Sequence, residues 1–458
     1  MLLGKIFDRF VAQTPICVAA RALLEAALNP TSLDVLFERT AVRQYERELL
    51  FSTCVDLMGL VVSRTKPSIH AAYQSAAAAV GVSLKALYSK LAHIEPTTSA
   101  ALVRHTAERL APVIRAMKGE VPTLVPGYRT KIFDGNHLAH TQRRLKPLRD
   151  VAAGPLPGQT LVVWDPALGL VLDVVASEDG HAQERSLLDD ALALVEPRDL
   201  WIADRNFCTT MFLFGLDERS AKFVIRQHAS TLTWDKATRT RSAGRGETGK
   251  LSEQTLELTN PDGRTLSVRR ITITLDTPTR DGETKIHLLT TLTAEEASAK
   301  VIAKAYRTRW KIETVFQMLT TVLQCEVNTL GYPKAALFAF AVAVAASNVS
   351  ACVKAALRAV HGVDKVEREV SDYFLADEIA GTYRGMMIAI PAKHWQPWAD
   401  ADTQTLAALL LDLAQTAKLH RYPKSPRGPK KPKPRRTRFA KAKHIATSRL
   451  LAAEKLRK

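Results

Sequence analysis

Residues 126–228 alternate between short apolar runs and longer helical stretches, and this order restricts the possible fold more than any other feature. The first three runs have no helical stretch between them, which is typical of an antiparallel meander. The later runs alternate with helical stretches, which is typical of strands joined by crossovers. We therefore predict a mixed sheet in an α/β fold. In chain order the segments are YRTKIFDGNHL, QTLVVWDPALG, LVLDVVAS, AQERSLLDDALALV, DLWIADRNF, CTTMFLFGLDER and KFVIRQ.

Residues 1–125 predict an all-α domain, because apolar residues recur every three or four positions and Pro or Gly stands at the breaks. Within it, Gly81 provides a turn four residues after Ala77, and Ser83 stands where a helix N-cap belongs. This spacing is typical of a DNA-binding helix-turn-helix. An ordinary helix pair in a bundle explains it equally well, so both interpretations stay open.

Strand-like alternation returns after residue 228, around the turn sequences PDG and RDG. We interpret this block as a β-rich insertion that divides the α/β core, and Trp234 stands near its start. The predicted divisions of the chain after the helical domain are the core at 126–228, the insertion at 229–295, the resumed core at 296–350, a helical region at 351–417 and a basic tail at 418–458.

Residues 335–353 form an uncharged run of 19 residues. This length is close to the roughly 20 residues that a membrane span needs. The run is rich in Ala, contains Ser347 and Asn348, and has no second apolar span to accompany it. We therefore predict a buried helix of a soluble core rather than a membrane span.

The chain has 458 residues and a net charge of +18, which indicates a polyanionic partner, most often nucleic acid. The charge is concentrated in the tail, where residues 418–458 contain Glu454 as their one acid. Within the tail, residues 418–444 are rich in Pro and cations, and their low apolar content predicts that they are disordered alone and order on a phosphate backbone. The alternative is a solvated tail that only aids solubility.

Five cysteines without C-x-x-C spacing argue against a disulfide framework or a zinc ribbon. The first 15 residues contain Lys5, Asp8 and Arg9 among their apolar residues, so they do not resemble a signal peptide. Both features predict a reducing, cytoplasmic location.

Two aspartates end apolar, strand-like runs. Asp134 follows KIF and Asp204 follows LWIA. Ligands gather at strand ends in α/β sheets, and phosphodiester chemistry with Mg²⁺ needs converging carboxylates. Either acid alone could equally be a structural turn or cap. Two of them on adjacent strands favour a catalytic pair.

A third acid lies in the sequence YRTRWKIETVFQML, residues 306–319, which we predict to be helical. At about 100° per residue, Tyr306, Arg309, Glu313 and Thr320 fall on one narrow stripe. Such a stripe suits a site in which Glu ligates metal while Arg and Tyr contact phosphate.

The motifs FDGNHL, IADRNF and Y-x-x-R-x-x-x-E together resemble the three catalytic blocks of the DDE transposases of bacterial insertion sequences, specifically insertion-sequence family four. The resemblance implies a ribonuclease-H-like core, a helical N-terminal DNA-binding region and a β-rich insertion between the second Asp and the Glu. It assigns Asp134, Asp204 and Glu313 to a triad that holds two Mg²⁺ ions, with Mn²⁺ as a substitute. Tyr306 and Arg309 match the phosphate-contacting pair.

The resemblance also implies a cut-and-paste reaction on terminal inverted repeats, joining of the 3′-OH ends to target DNA, a hairpin intermediate and a homodimer in the synaptic complex. Trp234 matches the insertion residue that stacks on a flipped base, although a core Trp is an equal alternative. The alternative hypotheses are a domesticated, non-catalytic DNA-binding protein and a structure-specific nuclease without strand transfer.

The chain departs from the family pattern at Thr320, where the family has Lys. A Thr can hydrogen-bond phosphate but supplies no charge. Lys311 or the tail is the alternative source of a positive charge for that phosphate contact. Arg143 and Arg144, in a basic run after His137 and His140, are further candidates for DNA contact. The two histidines lack partners for a zinc site. We attribute Glu184, at the start of a helical stretch, to the helix dipole.

Overall fold

The computed structural model describes residues 3–44, 48–138, 155–228, 232–279, 281–327, 330–425 and 445–456. Its N-terminal part is helical, as the apolar spacing predicts, and Pro occupies the first turn of three of these helices. The helices are α1 (Asp8–Gln13), α2 (Pro15–Ala27), α3 (Pro30–Thr40), α4 (Phe51–Val62), α5 (Ile69–Val80), α6 (Leu84–Leu91) and α7 (Pro96–Ala116).

The predicted turn between α5 and α6 is present. Gly81 ends α5 with φ of +68°, a conformation that costs Gly little. The Ser83 hydroxyl caps α6 by accepting a hydrogen bond from the backbone N–H of Ala86, at 3.2 Å. The local geometry of a helix pair is therefore confirmed, whereas its use in DNA binding stays a prediction.

The central sheet carries the α/β core. Its strands and helices in chain order are β1 (Arg129–Leu138), β2 (Pro155–Leu156), β3 (Gly158–Asp165), β4 (Leu170–Ser177), α8 (Leu188–Leu192), β5 (Asp199–Ala203), α9 (Thr210–Glu218) and β6 (Lys222–Arg226). The spatial order is β4-β3-β1-β5-β6, with antiparallel pairing on the β3 side of β1 and parallel pairing on the β5 side. The predicted mixed α/β sheet is therefore confirmed.

Strand burial explains why this sheet is central. Every residue of β3 and of β5 is buried, because other elements cover both faces of the sheet. Phe133, Trp201 and Phe212 pack together on one face, with ring centroids 5.3 to 6.2 Å apart. The opposite face of the sheet contributes Ile132 and Ile202 to a second apolar cluster, which the long helix described below shares.

The region after residue 228 consists of strands β7 (Lys236–Ala237), β8 (Arg241–Arg245), β9 (Gly249–Thr259), β10 (Thr265–Leu275) and β11 (Lys285–Thr290). β11 pairs with β6 of the core, and β10, β9 and β7 follow outward. Among the described residues, ten strands thus form one sheet. The inserted strands extend the core sheet and do not form a sheet of their own.

The chain then returns to helices α10 (Ala299–Thr308), α11 (Lys311–Thr321), α12 (Pro333–His361), α13 (Val363–Glu369), α14 (Asp372–Ala389), α15 (Gln396–Ala399) and α16 (Thr403–Thr416). Of the described helices, α12 alone is long and apolar enough to cross a membrane, and it is mostly buried inside the protein. The prediction of a buried core helix over 335–353 is confirmed. Its Asn348 side chain both accepts from the Val171 N–H at 2.8 Å and donates to the Val171 carbonyl at 2.9 Å, which joins α12 to β4.

Part of the basic tail docks on the core. β12 (Ile445–Ala446) pairs in parallel with β2, and α17 (Thr447–Leu456) follows. Ala446 and Thr447 are fully buried, and Arg449 donates two hydrogen bonds to Asp179 at 2.6 and 2.8 Å. The prediction that residues 418–444 order only on phosphate is wrong for residues 418–425, where Tyr422 is buried and the Lys424 N–H donates to the Glu369 carbonyl at 2.7 Å. Residues 426–444 lie outside the described residues.

Candidate active site

Asp134 and Asp204 lie side by side, although β1 continues to Leu138 and Asp134 is therefore not at the end of its strand. β1 and β5 are parallel neighbours, and the last pair in their ladder is Phe133 opposite Ala203. Asp134, within β1, and Asp204, directly after β5, are the next residues of the two segments, so both carboxylates lie just beyond this ladder. Asp204 also caps a short 3-10 helix (Arg205–Phe207), where it accepts the Arg205 N–H at 2.6 Å.

Asp134 is held between one cation and two other acids. Its Oδ2 accepts a hydrogen bond from Arg309 Nη1 at 2.5 Å, and its Oδ1 accepts the N–H of Gly135 at 3.0 Å. Burial raises the pKa of Asp134 to about 6, and the negative charges of Asp204 and Glu184 add to that rise. The Arg309 charge and the Gly135 N–H oppose it. The Arg309 charge and the Gly135 N–H therefore do not fully offset the rise in the pKa of Asp134 that burial and the two neighbouring acids cause.

Asp204 is contacted by Tyr306, which lies three residues before Arg309 in the sequence. The Tyr306 hydroxyl donates to Asp204 Oδ1 at 3.5 Å. Burial, followed by the charge of Asp204, raises the pKa of Tyr306 to about 12, so the hydroxyl keeps its proton at neutral pH. The Arg309 guanidinium lies 5.9 Å from the centroid of the Tyr306 ring and 5.8 Å from that of Trp310, which is 57% exposed.

The segment that carries these residues is not one continuous helix. α10 ends at Thr308 and α11 begins at Lys311, with Arg309 and Trp310 between them. The backbone N–H of Arg309 bonds the carbonyl of Tyr306, three residues earlier, at 3.1 Å. Such three-residue bonds tighten the turn relative to an α-helix. The predicted single-helix stripe is therefore interrupted, although Tyr306 and Arg309 still reach the same pair of aspartates.

Glu313 lies in the first turn of α11 and is exposed. Within the described parts of the chain, no group of three or more His, Cys, Asp or Glu side chains is arranged to hold a metal ion. The fold thus brings Asp134 and Asp204 together without Glu313 completing such a group among the described residues. The assignment of Glu313 to the triad stays a prediction, and the helix dipole also favours an acid at this position.

Glu184 is the acid that sequence reasoning misjudged. It is not simply a helix-dipole residue, because its carboxylate accepts a hydrogen bond from the Asn206 side chain, two residues after Asp204. Its Oε1 also lies 4.0 Å from His137 Nε2. The three segments are far apart in the sequence, and no local pattern signals their meeting.

The other predicted DNA contacts differ in their surroundings. The Thr320 hydroxyl donates within its own helix, to Phe316 O at 3.0 Å and Gln317 O at 3.1 Å. Lys311 is exposed at the start of α11. Trp234 is 39% exposed, with the Arg270 guanidinium 5.1 Å from its ring centroid, so it is not a core residue. Arg143, Arg144 and His140 lie outside the described residues.

A model of the family described as Transposase DDE domain matches residues 159–348. This segment is less than half of the chain and includes Asp204 and Glu313 but not Asp134. The cryo-EM structure of a piggyBac transposase synaptic complex with hairpin DNA is similar over 86% of each chain, at 9% sequence identity and a TM-score of 0.35. That likeness is too weak to bear on function. No curated protein matches the chain. Over residues 159–348 the chain is thus similar to a transposase DDE domain.

Proposed function

We propose that this protein is a DDE transposase of insertion-sequence family four that binds terminal inverted repeats, cleaves them and joins the 3′-OH ends to target DNA. One observation carries the proposal. The two aspartates beyond the β1–β5 ladder each have a partner from residues 306–309, Arg309 on Asp134 and Tyr306 on Asp204. The match of residues 159–348 to a transposase DDE domain supports the same reading.

The donor set fits a divalent cation. Asp134 and Asp204 offer oxygen, the donor that Mg²⁺ prefers. A cation between them would offset the like charges and the burial that raise the pKa of Asp134. We propose that Asp134, Asp204 and Glu313 hold two Mg²⁺ ions, with Mn²⁺ as a substitute. When bound, such ions activate the attacking oxygen and stabilise the leaving one.

Arg309 and Tyr306 supply the contacts to the phosphate. The guanidinium presents a planar set of donors that matches phosphate geometry, and the Arg309 side chain is only 9% exposed, so solvent screens its charge weakly. An incoming phosphate competes with Asp134 for this guanidinium. The protonated Tyr306 hydroxyl is a second donor at the same edge of the sheet.

The proposed partner is double-stranded DNA, at first the transposon ends and then the target. The net charge of +18 supports a polyanionic partner and supplies the attraction that does not depend on sequence. We propose that the protein acts as a homodimer on paired ends in the bacterial cytoplasm and that cleavage passes through a hairpin. Lys311, Trp234, Arg143, Arg144 and Thr320 are the further proposed DNA contacts.

The test uses purified protein and labelled DNA that carries the inverted repeats flanking its coding region. We expect Mg²⁺-dependent cleavage that EDTA abolishes, and joining of pre-cut ends to a plasmid. Asp134→Asn, Asp204→Asn and Glu313→Gln should each abolish cleavage while end binding persists, whereas Glu178→Gln, an exposed acid paired with Lys334 at 3.7 Å, should cleave normally.

Each rival function has its own outcome in this test. End binding without any cleavage by the unmodified protein would indicate a domesticated DNA-binding protein. Cleavage without joining of pre-cut ends would indicate a structure-specific nuclease. Full cleavage by any of the three carboxylate variants would contradict the assignment of that residue.

A further inference from the structure

The ladder that joins β1 and β5 stops one residue before the two aspartates. Its last pair is Phe133 and Ala203. From there β1 continues alongside β3, whereas the chain after Asp204 turns into the 3-10 helix Arg205–Phe207. Asp134 and Asp204 therefore lie beyond the backbone ladder that fixes the distance between their strands.

Glu184 contacts both segments just beyond the end of that ladder. A Cβ added to Gly135 would lie 1.9 Å from Glu184 Oε1, so the carboxylate occupies the space that the missing side chain leaves. On the other segment, Asn206 Nδ2 donates to Glu184 Oε2. The neighbouring Arg185 Nε donates to the Asn206 carbonyl at 2.8 Å, which holds the same residue a second time.

We propose that Glu184 is a positioning residue that sets the separation of the Asp134 and Asp204 carboxylates. The inference rests on the proposed function of that pair. A helix dipole alone does not account for the placement, because Glu184 begins a 3-10 helix of only four residues (Glu184–Leu187). Its side chain is 19% exposed and its two oxygens face two different segments. It acts on the metal through the geometry of the two aspartates.

The first test compares Glu184→Ala with Glu184→Gln in the full-length protein. Gln keeps an oxygen that can accept from Asn206, whereas Ala removes it. We expect Glu184→Ala to weaken Mn²⁺ binding, measured by calorimetry, by roughly tenfold or more, in the range found when residues that orient metal ligands are removed. The Mn²⁺ concentration for half-maximal cleavage should rise in parallel. Glu184→Gln should stay close to the unmodified protein in both measurements.

The second test uses Gly135→Ala. The added methyl group can be accommodated by displacing the Glu184 carboxylate, which is the end of a flexible side chain. Gly135→Ala should therefore weaken Mn²⁺ binding about as much as Glu184→Ala. In the double variant the methyl group meets no carboxylate, so the two effects should not add. Thermal unfolding of each variant shows that the fold is intact.

The outcomes separate this inference from the proposed function. Unchanged Mn²⁺ affinity in Glu184→Ala, or additive losses in the double variant, would overturn the positioning role. A Gln variant as weak as the Ala variant would also overturn it, because the negative charge itself would then be required. If the unmodified protein binds Mn²⁺ but never cleaves DNA, the proposed function fails, while the binding comparison still decides the role of Glu184.

Discussion

Arg309 Nη1 lies 2.5 Å from Asp134 Oδ2, and this ion pair joins the turn between α10 and α11 to the central strand of the sheet. Both side chains are largely buried, at 9% and 19% exposure. The acid that is proposed to bind metal is therefore already paired with a cation of the same chain. In the proposed function, Arg309 exchanges the Asp134 carboxylate for an incoming phosphate.

Arg309→Lys should not restore what Arg309→Ala removes. An ammonium offers a point charge in place of the planar donor set of a guanidinium. Both variants should lower the cleavage rate at saturating Mg²⁺ by about 10²–10³-fold, the usual range for losing a donor at a charged transition state. Arg307→Ala is the matched control, since Arg307 is exposed and pairs with Glu247. A Lys variant with normal single-turnover rates would contradict the phosphate role.

The pKa of Asp134 predicts a pH dependence of stability. Its folded-state pKa of about 6 lies above the ordinary 3.8, so the folded protein binds more protons than the unfolded chain between about pH 4 and pH 6. This group alone therefore lowers the free energy of unfolding as pH rises through that window. The measurement is urea unfolding in EDTA at pH 4.5 and pH 7.

Asp134→Asn should remove this contribution, so that the variant gains stability relative to the unmodified protein between pH 4.5 and pH 7. The shift corresponds to roughly 2–3 kcal/mol at most. Asp204→Asn serves as the comparison at the same edge of the sheet. Parallel pH curves for Asp134→Asn and the unmodified protein would show that Asp134 titrates normally.

Asn348→Leu should destabilise the fold strongly. Asn348 is fully buried, and the change leaves the backbone N–H and carbonyl of Val171 without the amide that bonds both. Each buried group left unsatisfied costs about 1–3 kcal/mol, so we expect a loss of roughly 2–5 kcal/mol in denaturant unfolding. Ser350→Ala on the same helix is the control, because its hydroxyl bonds only within α12, to Ala346 O at 3.3 Å. Equal losses in the two variants would argue against a specific bridge between α12 and β4.

The docking of the tail should depend modestly on Arg449 and Asp179. Arg449 is 61% exposed and Asp179 30%, so solvent screens the pair and its coupling energy should be about 0.2–1 kcal/mol. A double-mutant cycle with Arg449→Ala and Asp179→Ala measures it. The single variants should also expose α17 to proteolysis sooner, and unchanged cleavage times would indicate that β12 and β2 alone hold the tail.

Local sequence patterns predict several residues of this site. Asp134 and Asp204 are predictable because each ends an apolar run, and in a parallel pair such ends meet at one edge. The spacing of Tyr306 and Arg309 also predicts that they act together. The break at Arg309 and Trp310 is not predictable from spacing, since residues of ordinary helix propensity form it.

Contacts between distant segments are what the sequence does not reveal. Glu184 meets Gly135 and Asn206 only because the sheet places their segments together. β11 pairs with β6 and so joins the insertion to the core. The sequence of neither strand contains a periodic pattern that predicts this pairing. The two-residue strand β12 is too short to carry a pattern of its own.

The pairing of β12 with β2 has a consequence for the order in which the protein matures. A growing chain presents β2 to its surroundings long before β12 is synthesised, and chains begin to fold from the N-terminal side during synthesis. The partners of β2 and Asp179, which are β12 and Arg449, are therefore synthesised only when nearly all of the described chain has been translated. A product that stops before residue 445 would retain the segments that carry Asp134 and Asp204 but would lack the strand that pairs with β2 and the Arg449 that pairs with Asp179.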